Sequence, residues 1–141
     1  MSLIADHFDA VKAQLGATPM TANQVYDIAR TNTSGLIRAN YLILFGGPPE
    51  DLDDDRYSAA QRLDSTADYI YTVRAVGTTP AAVRMWTDAA LTQLVGAVLV
   101  IPGRKCDPIR LDDSTAIQED KGATPSLYYS DTDYLLRSSR A

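Results

Sequence analysis

The chain has 141 residues, 45% apolar and 22% charged, which predicts one soluble globular domain able to hold a core without metals or disulfides. A single cysteine, Cys106, and a single histidine, His7, exclude an internal disulfide framework, multi-cysteine metal sites and any chemistry that needs two imidazoles. Thirteen basic against eighteen acidic residues leave a net charge of −5, which disfavours tight binding to nucleic-acid phosphates or anionic lipid.

Ile4, Phe8, Val11 and Leu15 fall at i, i+4, i+7 and i+11, which predicts a helix buried along that stripe, capped by Ser2 and stopped at Gly16. His7 lies beside Phe8 on the flank of the stripe and is expected to be a half-exposed surface residue. The first 15 residues lack a basic patch followed by an apolar run, so no secretory signal is expected. The longest apolar stretches, Tyr41–Phe45 and 97–101, have five residues each, whereas a membrane-crossing helix needs about 20. A cytosol-like compartment is expected.

After a turn over 17–22, residues 24–29 predict a short strand, and 30–35 (RTNTSG) predict a hairpin loop. Residues 36–45 form the strongest predicted strand, with Ile37, Ala39, Tyr41, Ile43 and Phe45 on one face and Arg38 and Asn40 on the other. Residues 46–57 then break all regularity: two glycines and two prolines precede five carboxylates, Glu50, Asp51, Asp53, Asp54 and Asp55, which predicts a long exposed acidic loop. The pattern resumes over 67–76, with Tyr69, Tyr71 and Val73 on one face and Ile70, Thr72 and Val76 on the other. Apolar groups on both faces predict a central strand covered on two sides, by helices or by neighbouring subunits.

Thr79-Pro80 starts a second helix with a cap and an N-terminal proline, and Val83, Trp86, Ala90 and Leu94 give its buried stripe up to Gly96. Phe8, Tyr41, Trp86 and Leu94 are the expected core anchors. Further strands are predicted over 98–101, 109–111, 116–118 and 127–137. Two helices and about six strands in hairpin-like succession argue an α+β fold, with one mainly antiparallel sheet and both helices packed on one face.

Candidate chemistry is sparse. Asp51, Asp53 and Asp55 invite a calcium reading, but an EF-hand loop wants glycine and glutamate where this chain has Arg56 and Arg62, leaving at most a loose divalent-ion site. Cys106, between Lys105 and Asp107, has cations nearby that lower a thiol pKa, yet the lone histidine sits on a distant helix, so a small buried residue at a turn edge is the expected role. No phosphate-cradling, dinucleotide-binding, nucleophile-elbow or zinc-protease motif occurs. No carboxylate pair stands out as an acid–base couple, so a small hydrolase or ligand-binding domain is the rival of a different class. The eight tyrosines on two-faced strands fit a protein–protein interface better than a base-stacking platform on so acidic a chain. Neither catalytic residues nor a cofactor are expected.

The order of pieces resembles the tail terminator (tail completion) proteins of long, non-contractile-tailed bacteriophages. The resemblance runs from the amphipathic helix and the Val25-Tyr26 strand through Tyr41–Phe45 and 69–76 into Gly77-Thr78-Thr79-Pro80 and a helix ending Leu94-Val95-Gly96. It continues over the Pro102-Gly103-Arg104-Lys105-Cys106-Asp107-Pro108-Ile109 turn and strand, and closes on Tyr128-Tyr129-Ser130-Asp131-Thr132-Asp133-Tyr134 and a strand ending at Arg137. It implies a non-enzymatic subunit of a homo-hexameric ring at the head-proximal end of the virion tail, assembled in the host cytoplasm. The tail tube protein would meet one ring face and the head-side connector or stopper protein the other, while DNA passes through the lumen without specific binding. Other head–tail connector proteins (stoppers, adaptors, tail-joining proteins) are similar in length and fold and form the alternative. No family motif assigns ring contacts. From charge alone, the acidic loop is expected to face the lumen or an adjacent subunit, with Arg62, Arg74 or Arg84 as pairing partners.

Overall fold

Two long antiparallel strands, β6 (Ala67–Gly77) and β10 (Leu127–Arg140), form the spine of the protein. They belong to a computed structural model that describes residues 3–32, 35–36, 39–46, 48–49, 51–52, 66–122 and 125–140. Beside β6 lie β4 (Tyr41–Phe45) and the short β5 (Asp51–Leu52), both antiparallel to it. Beyond β4, β1 (Val25–Tyr26) pairs in parallel, which makes the sheet mixed. Along the outer edge of β10 run three short strands, β9 (Gln118–Asp120), β8 (Arg110–Ser114) and β7 (Arg104–Cys106). A small separate hairpin joins β2 (Thr31–Asn32) to β3 (Gly35–Leu36) within the predicted 30–35 turn region. The helices α1 (Leu3–Leu15) and α2 (Pro80–Leu94) pack on one face of the large sheet, giving the α+β architecture that the sequence predicts.

The second helix begins where its caps dictate. Thr79 is extended, its hydroxyl accepts a hydrogen bond from the Ala82 N–H at 3.1 Å, and Pro80 occupies the first turn, where no N–H partner is needed. Val83, Trp86, Ala90 and Leu94 form the buried stripe, and Gly96 follows at φ +81°, a left-handed conformation that glycine adopts without a Cβ clash. Beneath the helices, the strands contribute Leu42 and Leu44 from β4, Tyr69, Tyr71, Val73 and Ala75 from β6, and Tyr134 and Leu136 from β10. Each large side chain fully buried there contributes roughly 1.5–3 kcal/mol. Gly46 ends β4 pressed against the Tyr71 ring: a Cβ at that position would fall 2.2 Å from Tyr71 Cδ1, so the close approach requires glycine.

Several sequence expectations are corrected. On α1 the buried stripe is His7, Val11 and Leu15, while Ile4 is 43% exposed and Phe8 only partly buried, so the helix is rotated toward its histidine. His7 is therefore a fully buried residue, not a surface one; its ring is satisfied on both nitrogens and stacks on Tyr69 at 4.2 Å. Within the strand expected over 36–45, β4 covers Tyr41–Phe45 and its burial does not alternate; Ile37 and Arg38 lie outside the described residues. A second, smaller core of Tyr41, Ile43, Val76 and Leu127 sits on the opposite sheet face, with Tyr26, Ala29 and Ala39 packed against it. Residues 98–101 keep period-two burial but join no ladder. Of the eight tyrosines, Tyr41, Tyr69, Tyr71 and Tyr134 are core residues, each 1% exposed, while Tyr26, Tyr128 and Tyr129 are only partly buried and Tyr57 lies outside the described residues.

Candidate assembly face

Because both helices lie on one side of β6 and β10, the alternate residues of those strands face the other way, and the strand register decides what they meet. Across this open face Phe45, Thr72 and Asp133 form one row, Ile43, Arg74 and Asp131 the next, and Tyr41, Val76 and Tyr129 a third. Toward the other end of the spine, Ile70 stands opposite Leu135 and Asp68 opposite Arg137. The satellite core closes the Tyr41 end, leaving the rest of the face half-buried.

Polar groups on the face are paired along its rows. Arg74 forks onto Asp131, Nε to Oδ1 at 2.8 Å and Nη2 to Oδ2 at 3.0 Å. The same guanidinium lies 4.5 Å from the Tyr129 ring centre and 5.6 Å from that of Phe45. The Asp131 hydrogen bonds hold the Arg74 pKa above its ordinary value. Arg137 makes the same fork on Asp68, at 2.8 and 3.1 Å, and this holds the Asp68 carboxyl below the usual carboxylate range. Thr72 donates its hydroxyl proton to Asp133 at 2.7 Å. At the Tyr41 end, a hollow of about 240 Å³ opens among Ile43, Arg74, Glu119, Asp120 and Tyr129. Exposed ion pairs of this kind each contribute about 0–1 kcal/mol, so their effect is to fix a rigid pattern of charge and aromatic surface rather than to hold the fold together.

Behind the sheet, a buried polar cluster ties the chain's two ends together. The Leu3 carbonyl, 2.6 Å from His7 Nδ1, accepts that proton, which leaves Nε2 to accept from the Ser138 hydroxyl at 2.8 Å. Ser138 Oγ in turn accepts from Arg104 Nε at 2.9 Å, and the Ser138 carbonyl from Arg104 Nη2 at 2.9 Å. Burial pushes the imidazole pKa below its ordinary value. Burial also pushes the Cys106 thiol up, opposite to the activation that neighbouring cations would give, and His7 is already committed to Leu3 and Ser138. Among the described residues, no three His, Cys, Asp or Glu side chains come together as a metal ion would need.

The sequence-named site residues scatter. Glu50, Asp53, Asp54, Asp55 and Arg62 lie outside the described residues, and of Asp51 only the backbone in β5 is described. The guanidinium fork of Arg74 is occupied by Asp131 within the chain. Arg84 is exposed on α2 and lines a groove with Thr87, Leu91, Leu111 and Ser130, on the β8 side of β10, whereas β5 borders β6. Of the core anchors, Tyr41, Trp86 and Leu94 are buried and Phe8 packs partly buried, 6.4 Å from the Tyr71 ring. Sequence reading missed Asp68, Asp131, Asp133 and Arg137. The available signal was the alternation of charges in both long strands, Asp68 and Arg74 in one and Asp131, Asp133 and Arg137 in the other, which pairs up once the strands are set antiparallel.

No family model matches the chain, and no curated protein matches it in sequence. Among solved structures, a chain from the virion of a native gene transfer agent (GTA) particle superposes with a TM-score of 0.69 at 19% identity, over 98% of this chain and 98% of that one. The protein thus shares its fold, along nearly its whole length, with a chain of the GTA virion.

Proposed function

We propose that the chain is a structural virion protein, and more specifically a tail terminator: a non-enzymatic subunit whose ring caps the finished tail tube, stops its growth and offers a surface to the head-side connector. The observation that carries the virion role is the end-to-end likeness to a chain of the GTA virion. The sequence resemblance to phage tail terminators supports the finer reading, and with it a hexamer. The rigid, half-buried charged and aromatic face of the β6–β10 spine, with helices on the opposite side, supports a subunit built to pack against other proteins.

Termination on this reading is geometric. One ring face matches the last ring of the tube, and the other gives an incoming tube subunit nothing to copy. A net charge of −5 suits a ring through which DNA must slide without sticking. The acidic 46–57 segment fits the lumen or a subunit contact, where its carboxylates would meet a neighbour's arginine such as Arg62 or Arg84.

Polymerisation of the tube protein with and without the purified protein, followed by light scattering and electron microscopy, tests this directly. The expected result is tubes that stop growing and carry one terminal ring. Tubes that elongate unchecked in the presence of the protein would overturn termination in favour of a connector acting later.

A further inference from the structure

Three exposed valines, Val95, Val98 and Val100, gather where the chain leaves α2 for β7, at 47%, 61% and 93% exposure. Residues 97–101 read Ala-Val-Leu-Val-Ile with the burial rhythm of a strand, Leu99 and Ile101 inward and Val98 and Val100 outward. Both ends of this arm are pinned. Gly96 N–H donates to the Ile109 carbonyl at 2.8 Å, Ile109 N–H to the Ala97 carbonyl at 2.9 Å, and Arg104 N–H to the Ile101 carbonyl at 3.0 Å. Between those anchors, no backbone hydrogen bond ties residues 98–100 to the rest of the described chain. The whole stretch 89–103 carries no charge, so the arm stands out as a pinned, apolar rib.

A groove of matching character lies toward the other edge of the sheet. Between α1 and β4 a cleft of about 520 Å³ opens, with Ile4, Ala5, Phe8, Leu44 and Phe45 as its apolar lining. Ile4 and Phe45 are 43% and 39% exposed there. β1 accompanies β4 only as far as Ile43, so past that point no described strand lies along the outer edge of β4. Of the charged groups at the rim, Lys12 is bonded to Asp27 at 2.9 Å, which leaves the Asp9 carboxylate with no cation among the described residues. The strand order keeps the two surfaces apart: the arm feeds β7 at one end, whereas β4 lies toward the other, followed by β1.

We propose that the 97–101 arm of one copy of this chain docks in the α1–β4 groove of the next, joining subunits head to tail. Val98 and Val100 enter among Ile4, Phe8 and Phe45, and the apolar surface exposed on both partners is covered. The extended main chain of the arm lies along the uncovered edge of β4 and adds a short strand to it. An uncharged rib sets no carboxylate against Asp9, and Lys105, the first exposed charge past the arm, brings a cation to that rim. Because arm and groove are different surfaces, the contact is heterologous, and it repeats from copy to copy until its rotation closes a ring. The inference rests on the ring assembly proposed above and names the surfaces through which its neighbours meet.

Sedimentation velocity over a concentration series, with the full chain alone and on tail tubes, compares wild type with Val98→Asp/Val100→Asp and with Ile4→Asp. Both variants should keep the wild-type melting curve, because the changed positions are exposed and aspartate suits the first turn of a helix. Each alone should sediment as a monomer and lose the terminal ring. Mixed in equal amounts, they should form a dimer and nothing larger, since the arm variant keeps its groove and the Ile4 variant keeps its arm; a misfolded variant could not give that species. Rings that form from either variant as readily as from wild type overturn this contact and leave the ring reading standing, as do variants that stay monomeric when mixed. Ile4→Asp rings that form in solution but no longer sit on tubes overturn it too, and give the groove to the tube protein. Wild-type protein that stays monomeric at every concentration and on tubes overturns the ring reading along with it.

Discussion

Along β6, Tyr69, Tyr71, Val73 and Ala75 point beneath the helices and are each 1% exposed, while Asp68, Ile70, Thr72 and Arg74 between them point the other way and stay half-buried. The helix side is held by burial, and it accommodates even the Tyr69 and Tyr71 hydroxyls, which find no partner among the described residues. The open side is held by paired charges whose individual contributions to stability are small. One strand therefore separates two roles that many proteins mix: the residues that make it fold alternate with residues whose chemistry is directed outward.

Breaking the helix side should cost most. Leu94→Ala removes a fully buried side chain from the α2 stripe and should lower stability by about 2–5 kcal/mol in chemical denaturation. His7→Ala comes next, at about 1–3 kcal/mol, because the Ser138 and Leu3 partners lose the imidazole inside the core. His7 also gives the contrast a pH signature. The folded imidazole is held below its ordinary value of 6.5, so below that pH the unfolded chain takes up a proton that the folded chain resists. Stability should be full above about pH 6.5 and fall as pH drops below it. As His7 is the only imidazole, His7→Gln should flatten the melting temperature over that window; an unchanged slope would mean another group titrates there.

A smaller loss, about 1 kcal/mol, is expected for Thr79→Ala, which strips the cap from the Ala82 N–H. Smallest of all on stability is the open face. Arg74→Gln breaks the fork on Asp131 and should change the unfolding free energy by about 1 kcal/mol or less, yet reduce incorporation into particles. A large loss of stability from Arg74→Gln, with incorporation intact, would show that the two faces do not divide their roles in this way.

How much of this was legible in the sequence follows from the range of the interactions. The second helix is written locally: cap, proline, stripe and terminal glycine all lie within 79–96, and all four behave as their chemistry requires. The period-two faces of 67–76 were legible for the same reason. His7 was not, because what makes its burial tolerable is Ser138, 131 residues away in sequence. The four-residue burial of β4 depends on a second core whose members come from β1, β6 and β10, and the Asp68–Arg137 and Arg74–Asp131 pairs depend on strand register. Long-range pairing is what local spacing cannot encode.

The measurement closest to the central claim is tail length, read by negative-stain electron microscopy in particles assembled without this protein. Overlong, headless tubes are the outcome expected of a tail terminator. Tails of normal length that fail to join filled heads would contradict that assignment, and would mark the protein as a connector that acts after length has been set.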